Sequence, residues 1–135
     1  MTDCLFCSIV AGEIPAEVVA EDERTITFMD ISPATRGHAL VIPRAHARDL
    51  YEISALDLAA CAVAAQRAAL VARDRLGADG VNLLNSCQAE AWQSVFHFHI
   101  HVIPRYQDDP LRLPWEPVTG NADAIVASAR VLRGE

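Results

Sequence analysis

The sequence is short of positive charge. Its 135 residues include 11 Lys and Arg side chains against 18 Asp and Glu, so the formal net charge is -7. A protein that follows the phosphate backbone of DNA or RNA needs the opposite balance, because each neutralised phosphate requires a basic contact. The composition therefore argues against a nucleic-acid partner. A small anionic ligand in a local basic or dipolar pocket stays compatible with it.

Long apolar runs and a leader-like N-terminus are also missing. Polar and charged residues (Gln66, Arg67, Arg73 and Asp74) interrupt the longest helix-like stretch, so we expect no membrane span. The first residues lack the basic region, apolar run and small-residue cleavage site of a secretory signal. We therefore expect a cytoplasmic protein with no membrane partner, long enough to bury one sizeable core.

Hydrophobic periodicity predicts a mixed chain with one long helix. Ser54 and Gly77 are suited to cap an alanine-rich helix between them, with Asp57 completing a capping box. Such a helix would be roughly 30 Å long, enough to cover a sheet or to supply a dimer contact. A shorter helix is expected near residues 122–132, after an irregular tail rich in proline. The predicted strands are residues 17–21, 25–31, 38–43, 81–85 and 95–103.

Three of the five histidines alternate within one predicted strand. Alternation places His97, His99 and His101 on one face. The other face, expected in the core, carries Phe96, Phe98, Ile100 and Val102. A solvated polar face is the plain alternative, but such faces are usually built from Thr, Ser, Lys and Glu. Because imidazole ionises near neutral pH, three of them together indicate proton or metal chemistry.

A catalytic zinc ion held by these three histidines is a second interpretation. His97 and His101 would lie about 13 Å apart along an extended strand, which strains a site with three ligands to one ion. The nearest carboxylates, Asp108 and Asp109, lie beyond Pro104. A zinc hydrolase is therefore the less favoured alternative.

Residues 93–105 resemble the signature of the histidine triad (HIT) family, His-φ-His-φ-His-φ-φ with φ apolar, flanked by Gln-Ser and Pro-Arg. The resemblance extends to residues 4–15, 28–33 and 37–46, and is closest to the prokaryotic, nucleoside-phosphoramidase-like branch. It implies an α+β fold with a five-stranded antiparallel sheet, one long helix packed on it, and a homodimer. One HIT domain would occupy residues 1–135, with its core at about 4–105 and an irregular tail at 106–135.

The resemblance also implies a chemistry. His99 would attack the α-phosphorus of a purine nucleotide conjugate, and water would hydrolyse the resulting nucleotidyl-histidine. His101 would contact the phosphate oxygens, Ser94 the phosphate or the leaving group, and Asp30 the ribose hydroxyls. The other matched nucleotide-binding positions are Ile9, Phe28 and Ile31 around the base, Asn85 at the phosphate, and Gln93.

The chain departs from the family pattern just before the triad. Trp92 stands where the family commonly has Gly, and residues 86–90 lack the usual glycine too. Phosphate loops favour glycine for close backbone approach. The departure therefore affects the part of the site that would contact the leaving group. It also affects Asn85, whose match to the family's phosphate-contacting asparagine depends on the length of this loop. Trp92 could stack on a leaving group instead.

Cys4 and Cys7 form a Cys-x-x-Cys pair. A thioredoxin-like pair would follow a strand, and no strand can precede residue 4. Two thiolates supply half of a tetrahedral zinc site. Family members that carry the pair complete it with histidines matching His46 and His97, so the resemblance implies one structural zinc ion.

The resemblance leaves several functions open. Hydrolysis of nucleoside phosphoramidates is the first, and dinucleoside polyphosphates are the alternative substrate class. A nucleotide-binding scaffold with vestigial activity is a candidate of another class. The complete triad favours the enzyme.

Overall fold

A five-stranded antiparallel sheet forms the centre of the computed structural model, which describes residues 3–135. Met1 and Thr2, on which part of the expectation about a leader rests, lie outside the described residues. The strands are β1 (Val18–Glu21), β2 (Thr25–Met29), β3 (Ala39–Pro43), β4 (Gly80–Leu84) and β5 (Ile100–Arg105). They lie side by side in the order β1-β2-β3-β5-β4. The predicted α+β fold is confirmed.

Three α-helices accompany the sheet: α1 (Leu5–Val10), α2 (Ala55–Leu76) and α3 (Ala122–Leu132). The Ser54 hydroxyl caps α2 by accepting from the Asp57 amide at 3.1 Å, and Gly77 ends it with φ of 68°. The capping box is incomplete, because the Asp57 carboxylate instead binds Arg24 at 2.8 Å. The bounds of α2 and α3 match the sequence prediction, whereas α1 was not predicted.

The expectation about membrane spans needs a correction. By length and composition, α2 is long and apolar enough to cross a membrane, with a mean hydropathy of 1.5. The charged residues Arg73, Asp74 and Arg75 lie at its C-terminal end, so residues 55–72 contain only two charged side chains, Asp57 and Arg67, beside the polar Gln66. Such composition also suits a helix that lies against a sheet, and α2 buries Cys61, Ala64, Ala65 and Ala72.

The sheet separates two groups of buried side chains. On one face, α2 covers a cluster with Val41, Phe98, Ile100 and Val102. On the other face, Phe6 of α1 packs with Ile26, Phe28, Leu40 and Ile42. Because side chains alternate along a strand, Leu40 and its cross-strand partner His101 share the α1 face. The histidines and α2 therefore lie on opposite faces.

The last strand differs from the prediction. It begins at Ile100 rather than at residue 95, and it continues through Pro104 to Arg105. Residues 95–99 leave the ladder, although Phe98 still donates its amide to the Ala47 carbonyl at 2.7 Å. Phe96 is not in the core as predicted. It is 40% exposed and lies beneath the Arg48 guanidinium, 5.2 Å from the ring centroid.

Candidate active site and metal centre

The triad histidines lie beneath α1 and are shielded from solvent. His97 is 0% exposed and His99 is 5% exposed. The Phe6 ring meets both imidazoles edge to face, with centroid distances of 5.9 Å to His97 and 5.2 Å to His99. A solvated polar face is therefore the wrong interpretation of the alternation. His101 is half-buried, and burying the other two imidazoles requires that each has a specific partner.

The first triad histidine belongs to a cluster with both N-terminal cysteines. Cys4, Cys7, His46 and His97 each direct one potential ligand atom to a common centre, with all four atoms within 4.8 Å of one another. His97 Nδ1 lies 3.3 Å from Cys4 Sγ and 3.5 Å from Cys7 Sγ. His46 Nδ1 lies 3.3 Å from both Cys7 Sγ and His97 Nδ1. These four residues could hold a metal ion.

Local hydrogen bonds orient His97 and Cys4 within this cluster. His97 Nε2–H donates to the Pro43 carbonyl at 2.8 Å, so the lone pair of the neutral ring is on Nδ1, inside the cluster. Cys4 is the N-cap of α1, and its Sγ accepts from the Cys7 amide. The His97 lone pair on Nδ1 and the Sγ of Cys4 therefore face the same centre, and a neutral imidazole is the form that binds metal.

The second triad histidine has a fixed tautomer. His99 Nδ1 lies 2.8 Å from the backbone carbonyl of His97. A carbonyl oxygen can only accept, so Nδ1 carries the proton and Nε2 has the lone pair. Asn85 Nδ2 donates to the His99 carbonyl at 2.9 Å and ties this segment to the end of β4. His99 is therefore held as a neutral imidazole with Nε2 available for attack.

The third triad histidine is oriented by His38, which the sequence analysis did not identify. The Ala34 amide donates to His38 Nδ1 at 2.9 Å, which leaves the proton on Nε2. That Nε2–H donates to His101 Nδ1 at 2.9 Å. His101 consequently keeps its own proton on Nε2 and is a hydrogen-bond donor there. Only the pairing of β3 with β5 brings the two rings together, so the sequence alone gave no signal.

The triad does not converge on one ion. Among residues 3–135, the two groups of potential ligands are the cluster above and a set of Asp30, His38 and His101. His97 and His101 fall in different groups, and His99 is in neither. The second set is better explained by hydrogen bonding, because His38 Nε2 carries a proton and has no lone pair for a metal. The three-histidine zinc site is thus not formed.

Burial keeps these imidazoles neutral. It is the main cause that lowers the pKa of His97, His99 and His38 below the usual 6.5. It also lowers the pKa of His101 to about 4, with further contributions from His99 and His38. The Asp30 carboxylate, 3.4 Å from His38 Nε2 and 4.0 Å from His101 Nδ1, acts in the opposite direction without overcoming burial.

Comparison with known proteins shows the family to which the chain belongs. The family model of the HIT domain matches residues 11–108. The "Protein hit" of Bacillus subtilis (strain 168) is 44% identical over 104 residues, which cover 77% of this chain and 72% of that protein. The chain belongs to the HIT domain family.

Solved HIT structures extend this similarity to nearly the full length. The crystal structure of SMU.412c from Streptococcus mutans UA159 is 36% identical and superposes with a TM-score of 0.93, covering 99% of this chain and 85% of that one. A Zn-bound histidine triad family protein from Mycobacterium smegmatis is 39% identical, with a TM-score of 0.79 and 98% of each chain covered.

The residues matched to nucleotide contacts in the HIT pattern differ in how far solvent reaches them. Asp30 is half-buried, and its Oδ1 accepts from the Ser32 amide at 2.7 Å. Ile31 is 98% exposed, Ile9 is half-buried, and Phe28 is buried in the core beside Phe6. Ile9 and Ile31 are thus accessible to a ligand, whereas Phe28 is buried and packs in the core. Their contact with a base stays a prediction.

The loop before the triad is held by Gln93. Its Oε1 accepts from the Gln88 amide at 2.8 Å, and its Nε2 donates to the carbonyls of Arg48 and Val95. Gln93 is buried, whereas the adjacent Ser94 is exposed. Gln93 therefore shapes the loop that presents Ser94, and a direct nucleotide contact by Gln93 stays a prediction.

Trp92, where the family commonly has Gly, has a backbone conformation that glycine adopts more easily. Trp92 has φ of 76° and Gln88 has φ of 77°. Trp92 is in the left-handed helical region, Gln88 has ψ of 160° and lies outside it, and each positive-φ conformation costs a non-glycine residue about 1–3 kcal/mol. A glycine would avoid that cost, so the family's usual Gly at this position suits the backbone of the loop as well as phosphate approach. In this chain the indole is 67% exposed, where a ligand could reach it.

The first prediction concerns the pKa of His101. Its imidazole should titrate near pH 4 in the folded protein, and the ordinary value of 6.5 should return in urea. Between these values the unfolded chain binds more protons than the folded one, so stability should fall as the pH drops from 6.5 through about 4. NMR titration of the ring resonances measures the pKa directly.

The matched control is His101→Asn, which should reduce the loss of stability over the same pH range. A His101 midpoint near 6.5 in the folded protein would contradict the burial and the hydrogen bond from His38.

Proposed function

We propose that this protein is a nucleotide hydrolase that cleaves purine nucleotide conjugates at the α-phosphorus, with nucleoside phosphoramidates as the preferred class. Proteins of the HIT family bind nucleotides and are generally nucleotide hydrolases. The observation that carries the finer proposal is the fixed tautomer of His99, with Nδ1–H bound to the His97 carbonyl and Nε2 unprotonated. Such an imidazole is a nucleophile near neutral pH.

The reaction divides into two displacements. His99 Nε2 attacks the α-phosphorus while Nδ1 keeps its proton. The P–N bond to the leaving amine breaks, and the amine takes a proton from solvent water, which recovers it when the second water attacks. Water then attacks the same phosphorus, releases a nucleoside monophosphate and restores the neutral imidazole. Each step needs stabilisation of charge on the phosphate oxygens. His101 Nε2–H is the donor that the hydrogen-bond chain from His38 provides for this purpose.

The surrounding side chains would fix the substrate. Asp30 would accept hydrogen bonds from the ribose hydroxyls, and Ile9 and Ile31 would contact the base. Ser94, which is exposed, would bind the phosphate or the leaving group, and Asn85 would contact the phosphate. Trp92 offers an aromatic face to that leaving group. A net charge of -7 is consistent with a cytoplasmic enzyme of small nucleotides that has no nucleic-acid partner.

The second prediction tests the nucleophile. His99→Ala should reduce the turnover of a fluorogenic nucleoside phosphoramidate at least about a thousandfold, because the covalent route is lost. Binding of the product mononucleotide, measured by calorimetry, should stay within about tenfold, because the remaining contacts persist. Dinucleoside polyphosphates assayed in parallel decide between the two substrate classes.

Near wild-type turnover in His99→Ala would refute the assignment. Tight nucleotide binding by a wild-type protein that turns over none of these substrates would indicate a scaffold with vestigial activity instead.

We also propose that the Cys4, Cys7, His46 and His97 cluster binds one structural zinc ion. A tetrahedral zinc ion separates two nitrogen ligands by about 3.3 Å, and nitrogen from sulfur by about 3.5 Å, given its usual bond lengths. The cluster shows 3.3 Å between its nitrogens and 3.3 to 3.5 Å between nitrogen and sulfur. The Zn-bound relative from Mycobacterium smegmatis supports the choice of metal.

Four protein ligands close the coordination of such an ion, so its role would be structural. Zinc would join α1 to His46, just after β3, and to His97. Through α1 it would hold Phe6 against the ring of His99.

The third prediction follows from this cluster. Protein purified without added metal should contain close to one equivalent of zinc by elemental analysis. Cys4→Ser should lower both the zinc content and the melting temperature, because closed zinc sites contribute on the order of 10 kcal/mol of binding free energy. Strong chelation should lower the melting temperature in the same way.

Two controls separate the cluster from the rest of the site. Cys87→Ser changes a half-buried thiol outside the cluster, and His99→Ala removes the neighbouring imidazole. Both variants should keep full zinc. Less than a tenth of an equivalent in the wild type, or full occupancy after both Cys4 and Cys7 are replaced, would refute the proposal.

A further inference from the structure

The loop before the triad is strained. Residues 86–94, which we call the Trp92 loop, contain no glycine, yet Gln88 and Trp92 have φ of 77° and 76°. Non-glycine residues stay in such conformations only where surrounding contacts hold them. The contacts of the Trp92 loop therefore decide where its exposed side chains, Ser94 and Trp92, are presented.

Both ends of the Trp92 loop are attached to the active site. Asn85, immediately before the loop, donates to the His99 carbonyl at 2.9 Å. Val95, immediately after it, packs with the buried cluster that contains Phe6, and the Phe6 ring contacts His99. A change in the conformation of the loop would therefore act beside the proposed nucleophile.

Hydrogen bonds close the loop on itself and dock it onto the segment that follows β3. The Gln88 amide donates to Gln93 Oε1 at 2.8 Å, and the Gln93 amide donates to the Gln88 carbonyl at 3.1 Å. Gln93 Nε2 donates to the Arg48 carbonyl at 2.8 Å. The preceding residue, Ala47, accepts from the Phe98 amide at 2.7 Å. The segment that supports the loop is thus itself joined to the triad.

Asp49 adds a buried carboxylate to this support, with 3% of the residue exposed. Its Oδ1 accepts from the Tyr51 and Glu52 amides at 3.0 and 3.2 Å and so forms a local turn. Its Oδ2 accepts from Gln88 Nε2 at 2.5 Å, across 39 residues of sequence. Arg48 Nε lies 3.9 Å from the same oxygen. The turn needs only one oxygen, so the other ties the strained Gln88 to the segment after β3.

The charge state of this contact fixes its direction. A carboxylate can only accept, so the Gln88 amide must turn its nitrogen toward Asp49. A buried carboxylate is costly unless its oxygens are hydrogen-bonded, so the structure is less stable when Gln88 moves away. Asp49 therefore holds Gln88 in one place and in one orientation.

We propose that Asp49 is a positioning residue for the leaving group. Its carboxylate fixes Gln88, and through Gln88 the Trp92 loop, so that Ser94 and Trp92 are held where the amine departs. This role rests on the proposed function, the hydrolysis of nucleoside phosphoramidates. Asp49 lies outside the segments that resemble the HIT pattern.

The fourth prediction exchanges donor and acceptor in this pair. Gln88→Glu places a second carboxylate against Asp49 and should release the Trp92 loop, because both groups carry charge near neutral pH. We expect kcat/KM for a nucleoside phosphoramidate with an aromatic leaving amine to fall roughly tenfold or more. Adding Asp49→Asn restores one donor and one acceptor and should recover most of this loss. Asp49→Asn alone should stay within about threefold of wild type, because the Gln88 amide can turn its oxygen to the new donor.

Readouts on the leaving group separate positioning from stability. Each variant is assayed with two phosphoramidates that share a nucleoside, one with an aromatic amine and one with a small aliphatic amine. Gln88→Glu should lower the preference for the aromatic amine at least about threefold. Binding of the product mononucleotide, which lacks the amine, should not change. Gln107→Glu makes the same chemical change at an exposed position outside the loop and should match wild type throughout.

Motion of the loop gives a test that does not depend on turnover. Trp115→Phe leaves Trp92 as the single tryptophan of the chain, so the decay of its fluorescence anisotropy reports the motion of the loop. The amplitude of nanosecond motion should rise in Gln88→Glu and return to the wild-type value when Asp49→Asn is added.

Three results would each overturn the role of Asp49: unchanged loop motion in Gln88→Glu, no recovery on adding Asp49→Asn, or equal losses for both amines and for mononucleotide binding. A wild type that turns over neither phosphoramidate, while the loop responds as expected, would overturn the proposed function and with it the leaving-group role. The hold of Asp49 on the loop would then stand.

Discussion

The arrangement of the site depends on one buried residue, His97. Its Nδ1 lies among the potential metal ligands, its Nε2–H is bound to the Pro43 carbonyl, and its own carbonyl accepts from His99 Nδ1. The same residue therefore joins the N-terminal cysteines, the end of β3 and the proposed nucleophile. A shift of the His97 backbone would change the direction and the tautomer of His99 at once. This explains why the chain leaves the β5 ladder just where His97 occurs.

Burial gives the triad its reactivity, and it also makes the triad dependent on its partners. A buried imidazole stays neutral, as the lowered pKa of His99 shows, and only a neutral imidazole can act as a nucleophile. Neutral rings have two tautomers, however, and each must be selected by a hydrogen bond. The His97 carbonyl keeps the proton of His99 on Nδ1. The Ala34 amide binds His38 Nδ1 and so keeps the proton of His38 on Nε2, and the hydrogen bond from that Nε2–H to His101 Nδ1 keeps the proton of His101 on Nε2.

Local features of the fold could be predicted from the sequence, whereas features made by distant contacts could not. The Ser54 cap and Gly77 act within a turn of α2, so its bounds follow from neighbouring residues. Phe96 was wrongly placed in the core because strict alternation assumes a strand, and residues 95–99 follow the cluster instead. His38 was missed because its partner is 63 residues away in sequence. The helical form of α1 depends on a Cys4 cap that composition alone does not reveal.

The tautomer of His99 tests the central role of His97 most directly. Nitrogen-15 chemical shifts of the His99 ring can be recorded near neutral pH in zinc-loaded protein, after complete chelation, and after zinc is restored. We expect the proton on Nδ1 in the loaded protein, a mixture of both tautomers once the metal is removed, and recovery on reloading. A proton on Nε2 in the loaded protein, or a tautomer unchanged by complete loss of metal, would contradict the dependence of the nucleophile on His97.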